Sequence, residues 1–98
     1  MNKPVPDHSA VQTFYIRRDR AARINRDITV TYIIDYKNDR VDVGIAKCHK
    51  NDTFIKHNGR LVALGRLGKN PMSFPLAGFA SNRYRDVVAG LRSLLLQN

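Results

Sequence analysis

ITVTYIIDY, residues 28–36, is the stretch that decides the fold. Ile28, Val30, Tyr32, Ile34 and Tyr36 alternate with Thr29, Thr31, Ile33 and Asp35, the period of two that a strand with one buried face requires. Lys37, Asn38, Asp39 and Arg40 follow as a turn, because Asn and Asp tolerate left-handed backbone angles. Val41 to Cys48 (VDVGIAKC) returns as the partner strand, with Val41, Val43 and Ile45 on one face. Gly44 and Ala46 leave its other face low, which permits close approach by another element or a bulge. The centre of the chain is therefore a hairpin.

Upstream, Val11 to Arg17 (VQTFYIR) reads as a short strand with Phe14 and Ile16 on one face and Tyr15 and Arg17 on the other. Residues 1–10 hold Pro4, Pro6 and Asp7 and no apolar run, so a flexible tail is expected rather than a signal peptide. Downstream, Asp52 stands where a helix N-cap would. From there Phe54, Ile55, Asn58, Leu61, Val62 and Gly65 share one arc, and Lys56, His57 and Arg60 the opposite one. Gly68 to Ala80 (GKNPMSFPLAGFA) reads as a Gly/Pro loop whose Met72, Phe74, Leu76 and Phe79 fold over the core or contact a partner. Ser81 then caps the best helix, in which Tyr84, Val87, Val88, Leu91, Leu94 and Leu95 lie within about 120° of one another. Arg83, Arg85 and Arg92 fall outside that arc. The expectation is one α+β domain over residues 11–98: an antiparallel sheet of about three strands covered on one face by two helices. A second core does not fit in 98 residues.

Between the first two strands the chain is dominated by arginine: residues 17–26 hold Arg17, Arg18, Arg20, Arg23 and Arg26, with Asp19 the one acid among those ten. On a helical wheel, at about 100° per residue, these arginines spread around the whole circumference, so a solvated arm or loop is expected, or at most a short helical turn. The whole chain carries 17 Lys and Arg against 8 acids, a net charge of +9, and such a field collects polyanions through counterion release. Arginine contacts phosphate in bidentate fashion and stacks on bases, which makes the five arginines the leading nucleic-acid candidates. Lys56, Arg60, Arg66 and Lys69 would extend that surface along the first helix. Tyr15 is the candidate for base stacking, whereas Tyr32 and Tyr36 share the periodicity of the core residues.

Enzyme templates find little here. All 8 acids are aspartates, so the His-Glu-x-x-His zinc proteases and Glu-based acid–base pairs are excluded. Gly68-Lys69-Asn70 lacks the full spacing of a phosphate-binding loop, and no serine sits in a nucleophile elbow. Asp35, Asp39 and Asp42 surround the hairpin turn and imitate a metal-dependent nuclease site, but turn chemistry accounts for Asp39 more simply. Cys48, His49, His57 and His8 show no paired spacing that would hold a metal. No enzyme activity, cofactor or metal is expected. The single cysteine fits a reducing cytoplasm, and no run approaches the roughly 20 apolar residues of a membrane span.

The segment Val43 to Leu67 (VGIAKCHKNDTFIKHNGRLVALGRL) resembles a pattern in small, mostly uncharacterised proteins of tailed bacteriophages. In that pattern a strand ends in Gly-x-Ala-x-Cys, a polar turn carries Asp and Phe, and a helix holds Gly-Arg and Gly-Arg-Leu. The resemblance covers about a quarter of the chain. It implies an early-region type of phage protein in the host cytoplasm, and such proteins commonly bind nucleic acid or disable host machinery or defence. It assigns no catalytic residue. Three readings follow. One is a nucleic-acid-binding protein acting through phosphate contacts without a sequence code, since no helix looks like a recognition helix. The second is an inhibitor of a host nucleic-acid-processing enzyme or defence complex, anchored by Met72, Phe74, Leu76 and Phe79. The third is a structural role in a homo-oligomer, with a sheet edge or the loop as interface.

Overall fold

Alternation along residues 28–36 places its apolar set in one layer, and strand pairing on both sides completes that layer. A computed structural model of the protein describes residues 11–49 and 51–97, so the tail expected over residues 1–10 lies outside the described residues. Strands β1 (Gln12–Ile16), β2 (Ile28–Asp35) and β3 (Arg40–Lys47) are followed by helix α1 (Lys56–Lys69), strand β4 (Met72–Pro75), a 3-10 turn (Leu76–Gly78) and helix α2 (Tyr84–Leu95). The strands form one antiparallel sheet in the order β1-β2-β3-β4, and the fold is α+β.

On the first face, Val30 lies between Phe14 and Ile45, Tyr32 opposite Val43, and Ile34 opposite Val41. These side chains join Ile16, Ile24 and Ile28 in the core, and Val87 and Leu91 of α2 close it, both fully buried. The wheel reading of α2 holds for these two residues and for Val88 and Leu95, which pack at the margin. Tyr84 and Leu94 are exposed at 48% and 40%. Tyr36, expected in the core, is also exposed, because the strand ends at Asp35 and the turn carries it out.

Tyr32 is 2% exposed, and burial pushes its phenol up to about 12, with Tyr84 and Tyr36 nearby adding to the rise. The native state therefore holds this proton more tightly than the unfolded chain does. The stabilisation is full below pH 10 and is lost as pH climbs from 10 toward about 12. Y32F is expected to flatten this alkaline loss, as read by urea midpoints on either side of pH 10.

The second face is built from small residues. Thr29 sits opposite Ala46 and Thr31 opposite Gly44, and all four are buried. α1 lies directly on them. A Cβ at Gly44 would meet the carbonyl oxygen of Ala63, the amide nitrogen of Leu67 at 2.5 Å and its Cα at 2.9 Å. A Cβ at Gly59 would meet the Thr29 side chain, its Oγ1 and, at 3.2 Å, its Cβ, so the helix lies against the strand with no large side chain between them.

This arrangement corrects the expected architecture. The two helices cover opposite faces of the sheet, because α2 takes the large-residue face and α1 the face that Gly44 and Ala46 leave low. It also inverts the expected α1 arc. Ala63 is the buried residue of the helix, while Ile55, Leu61 and Val62 are 51%, 55% and 46% exposed. Large side chains do not fit between two backbones this close.

Three further corrections concern ends and loops. Asp52 does not cap α1, whose N-cap is Ile55 with no side-chain hydrogen bond. Ser81 does not cap α2 either, since the N-cap is Arg83; Ser81 Oγ accepts the Arg83 N–H at 3.0 Å and donates to the Asp86 carboxylate. The loop expected over residues 68–80 contains β4, which pairs Phe74 with Val41 and makes the sheet four-stranded. Pro75 is tolerated there because β4 is an edge strand.

Candidate nucleic-acid interface

Residues 17–27 connect β1 to β2, and their side chains fold them into an ordered turn rather than a free arm. Asp19 and Ile24 exchange both backbone hydrogen bonds at 2.9 Å as an isolated antiparallel bridge. The Asp19 carboxylate accepts the N–H groups of Ala21 and Ala22 at 3.0 and 3.3 Å, and Arg23 turns back through a positive φ of 61°. Ile24, 7% exposed, pins the turn into the core. Asp27 holds the base by accepting Arg17 Nε at 2.9 Å and the Arg18 N–H at 2.8 Å. Desolvation raises the Asp27 pKa, but these hydrogen bonds and the two positive charges outweigh it and leave the carboxyl below its ordinary range.

Among the described residues, the ion pairs are Arg17 with Asp27 and Arg40 with Asp35 and Asp42. Arg18, Arg20, Arg23 and Arg26 are exposed, with no such pair among those residues. They line two adjacent hollows. Arg18, Arg20, Arg23, Asn25 and Asn51 surround the first, about 650 Å³ in volume, over a floor of Ile24. Arg23, Arg26 and Lys47 surround the second, about 350 Å³, against Ile28, Leu95 and Leu96. Among the described residues, neither lining includes a carboxylate. Lys47, Asn25 and Asn51 are residues that sequence reasoning missed. The signal for Lys47 was its strand parity, which sets it opposite Ile28 at the root of the turn.

The start of α1 continues this surface. Arg17 lies 4.6 Å over the Phe54 ring, Phe54 meets Tyr15 edge-on at 6.0 Å, and Lys56 lies 5.0 Å over Tyr15. Tyr15 is thus half-buried between a ring and an ammonium rather than free to stack on a base. Arg60 is exposed one turn further along. Arg66 instead ties the helix to the sheet. Its Nη1 donates at 2.9 Å to the Ile45 carbonyl, on the part of β3 that extends beyond its pairing with β4. Gly59 packs by Thr29 and Leu67 by Gly44, so α1 runs away from the arginine turn and carries Lys69 with it.

At the other end of the sheet stand Asp35, Asp39 and Asp42. Arg40 reaches Asp35 at 3.7 Å and Asp42 at 3.1 Å, and Ser73 Oγ donates to Asp42 at 2.6 Å. Asp42 lies opposite Ile33. A side-chain hydrogen bond from Asn38 is the main influence holding Asp35 below its ordinary pKa. Asp39 takes a positive φ of 52°, as the turn requires. Among the described residues, no group of three or more His, Cys, Asp or Glu could hold a metal ion. The Cys48 thiol points to the carbonyls of His49 and Asp52 at 3.5 and 3.6 Å.

The proposed protein anchor is largely consumed by the core. Phe74, Leu76 and Phe79 pack against it, and Gly90 leaves the space that the Phe79 ring occupies. Of that set Met72 alone is exposed, at 37%. Among the described residues, half of the exposed large apolar side chains lie on and beside α1: Ile55, Leu61, Val62 and Leu64. Among the described residues no helix is long and apolar enough to cross a membrane. The chain matches no protein-family model, and no curated protein and no solved structure matches it.

Proposed function

We propose that this is a small, basic, phage-like protein that binds nucleic acid through phosphate contacts and performs no chemistry on it. One observation carries the reading: among the described residues, four arginines without carboxylate partners stand on a braced turn, around two hollows whose linings hold no acid. Bracing lowers the ordering cost of binding, because the backbone is set before the ligand arrives. At the opposite end of the sheet Asp35, Asp39 and Asp42 are nearly balanced by Lys37 and Arg40, whereas the arginine turn keeps an excess of positive charge over Asp19 and Asp27, which attracts a polyanion to that end.

The test is fluorescence anisotropy with labelled single-stranded and duplex DNA and RNA across a salt series. Micromolar or tighter binding is expected near physiological salt. Neutralising four phosphates on duplex DNA corresponds to a log–log salt slope of roughly −3 to −4. Absence of binding at that salt, or affinity indifferent to salt, sinks the reading.

A second reading, an inhibitor that binds a host nucleic-acid-processing enzyme or defence complex, is favoured by the exposed Leu61, Val62 and Leu64 on α1. Its mark is an interaction that survives high salt and is lost in L61D, at a residue that lines neither hollow.

A further inference from the structure

The two hollows at the turn share a rib, Arg23-Ile24-Asn25, and differ in chemistry. The second concentrates Arg23, Arg26 and Lys47 in about 350 Å³, and the end of α2 (Leu95 and Leu96) closes one side. The last carbonyls of a helix contribute about half a negative charge, which three cations outweigh. A backbone phosphodiester carries one charge and must leave in two directions. A terminal phosphate monoester carries about −1.5 to −2 at neutral pH and has one substituent, so it suits a closed-sided hollow with three cations. The first hollow, across the rib, has an apolar floor at Ile24 with Asn25 and Asn51 beside it and three arginines around it. Guanidinium planes stack on bases, and carboxamides pair with base edges.

We propose that the turn holds the end of a nucleic-acid strand, with its terminal phosphate among Arg23, Arg26 and Lys47 and its terminal nucleoside over Ile24 between Arg18, Arg20, Asn25 and Asn51. This rests on the nucleic-acid reading above and adds the feature of the polymer that is recognised. Arg23 is the hinge of the site, since it lines both hollows and its left-handed backbone directs the rib between them.

The experiment compares one single-stranded oligonucleotide in three forms, with a 5′-phosphate, with a 3′-phosphate and with hydroxyls at both ends, by anisotropy at fixed salt. One phosphorylated form is expected to bind about tenfold or more tightly than the hydroxyl form, the effect of one added charge-assisted hydrogen bond. R26A/K47A, its fold checked by circular dichroism, is expected to bring the forms to one affinity. Equal affinity of all three forms for the unsubstituted protein overturns the strand-end site while leaving general nucleic-acid binding in place. Failure of every form to bind overturns both. Displacement of the phosphorylated oligonucleotide by inorganic phosphate at the same concentration assigns the hollow to free phosphate and overturns the strand-end assignment.

Discussion

Gly44→Ala is expected to cost about 3 kcal/mol or more and to lower Tm by roughly 12–24 °C, against a total stability of about 5–15 kcal/mol for a domain of this kind. The added methyl would meet the Ala63 carbonyl and the Leu67 amide, both backbone atoms of α1, so no rotamer change relieves the clash. Relief requires α1 to lift off the sheet, which opens the layer over Thr29 and Thr31. Gly65→Ala is the matched control. A Cβ there meets nothing within 4 Å, so helix propensity alone acts, and a gain of up to about 1 kcal/mol is expected. Urea unfolding of the two variants checks both signs, and equal stabilities would show that α1 does not sit on Gly44.

Removal of Arg18, Arg20, Arg23 and Arg26 together as alanines is expected to weaken nucleic-acid binding about a hundredfold or more and to flatten the salt slope by roughly 3–4. Total charge alone could give part of this, so a charge-matched pair separates field from geometry. R20A/R23A and R83A/R85A each remove two positive charges, but the second pair lies at the start of α2, outside both hollows. The first pair is expected to lose far more affinity. Equal losses would make the interface a diffuse field. R17A is expected to behave differently again: Arg17 is bound to Asp27 and lies over Phe54, so its removal loosens the base of the turn as well as deleting a charge.

The hairpin was legible because alternation at residues 28–36 and the polar turn after it are local signals, and β2 and β3 pair within a residue of the expected limits. α2 was legible for the same reason, its apolar stripe being long and regular. β4 was hidden: Met72 to Pro75 holds a proline and follows another, and strand pairing with Val41 and Val43 is a long-range property. The arginine turn was half legible. Its charge was plain in the residues, but the bracing by Asp19, Ile24 and Asp27 depends on partners that meet only once β1 and β2 pair.

The sequence by itself determined the class of the domain, its central hairpin, its strong positive field and the residues that carry that field, because periodicity and charge are written into neighbouring positions. The tertiary structure decided which face each helix covers and which apolar residues stay outside. α1 was assigned the wrong face because burial follows the space available as well as hydrophobicity. Gly44 and Ala46 on the strand and Gly59 and Ala63 on the helix let two backbones meet, and that close approach leaves Leu61 and Val62 no room beneath the helix.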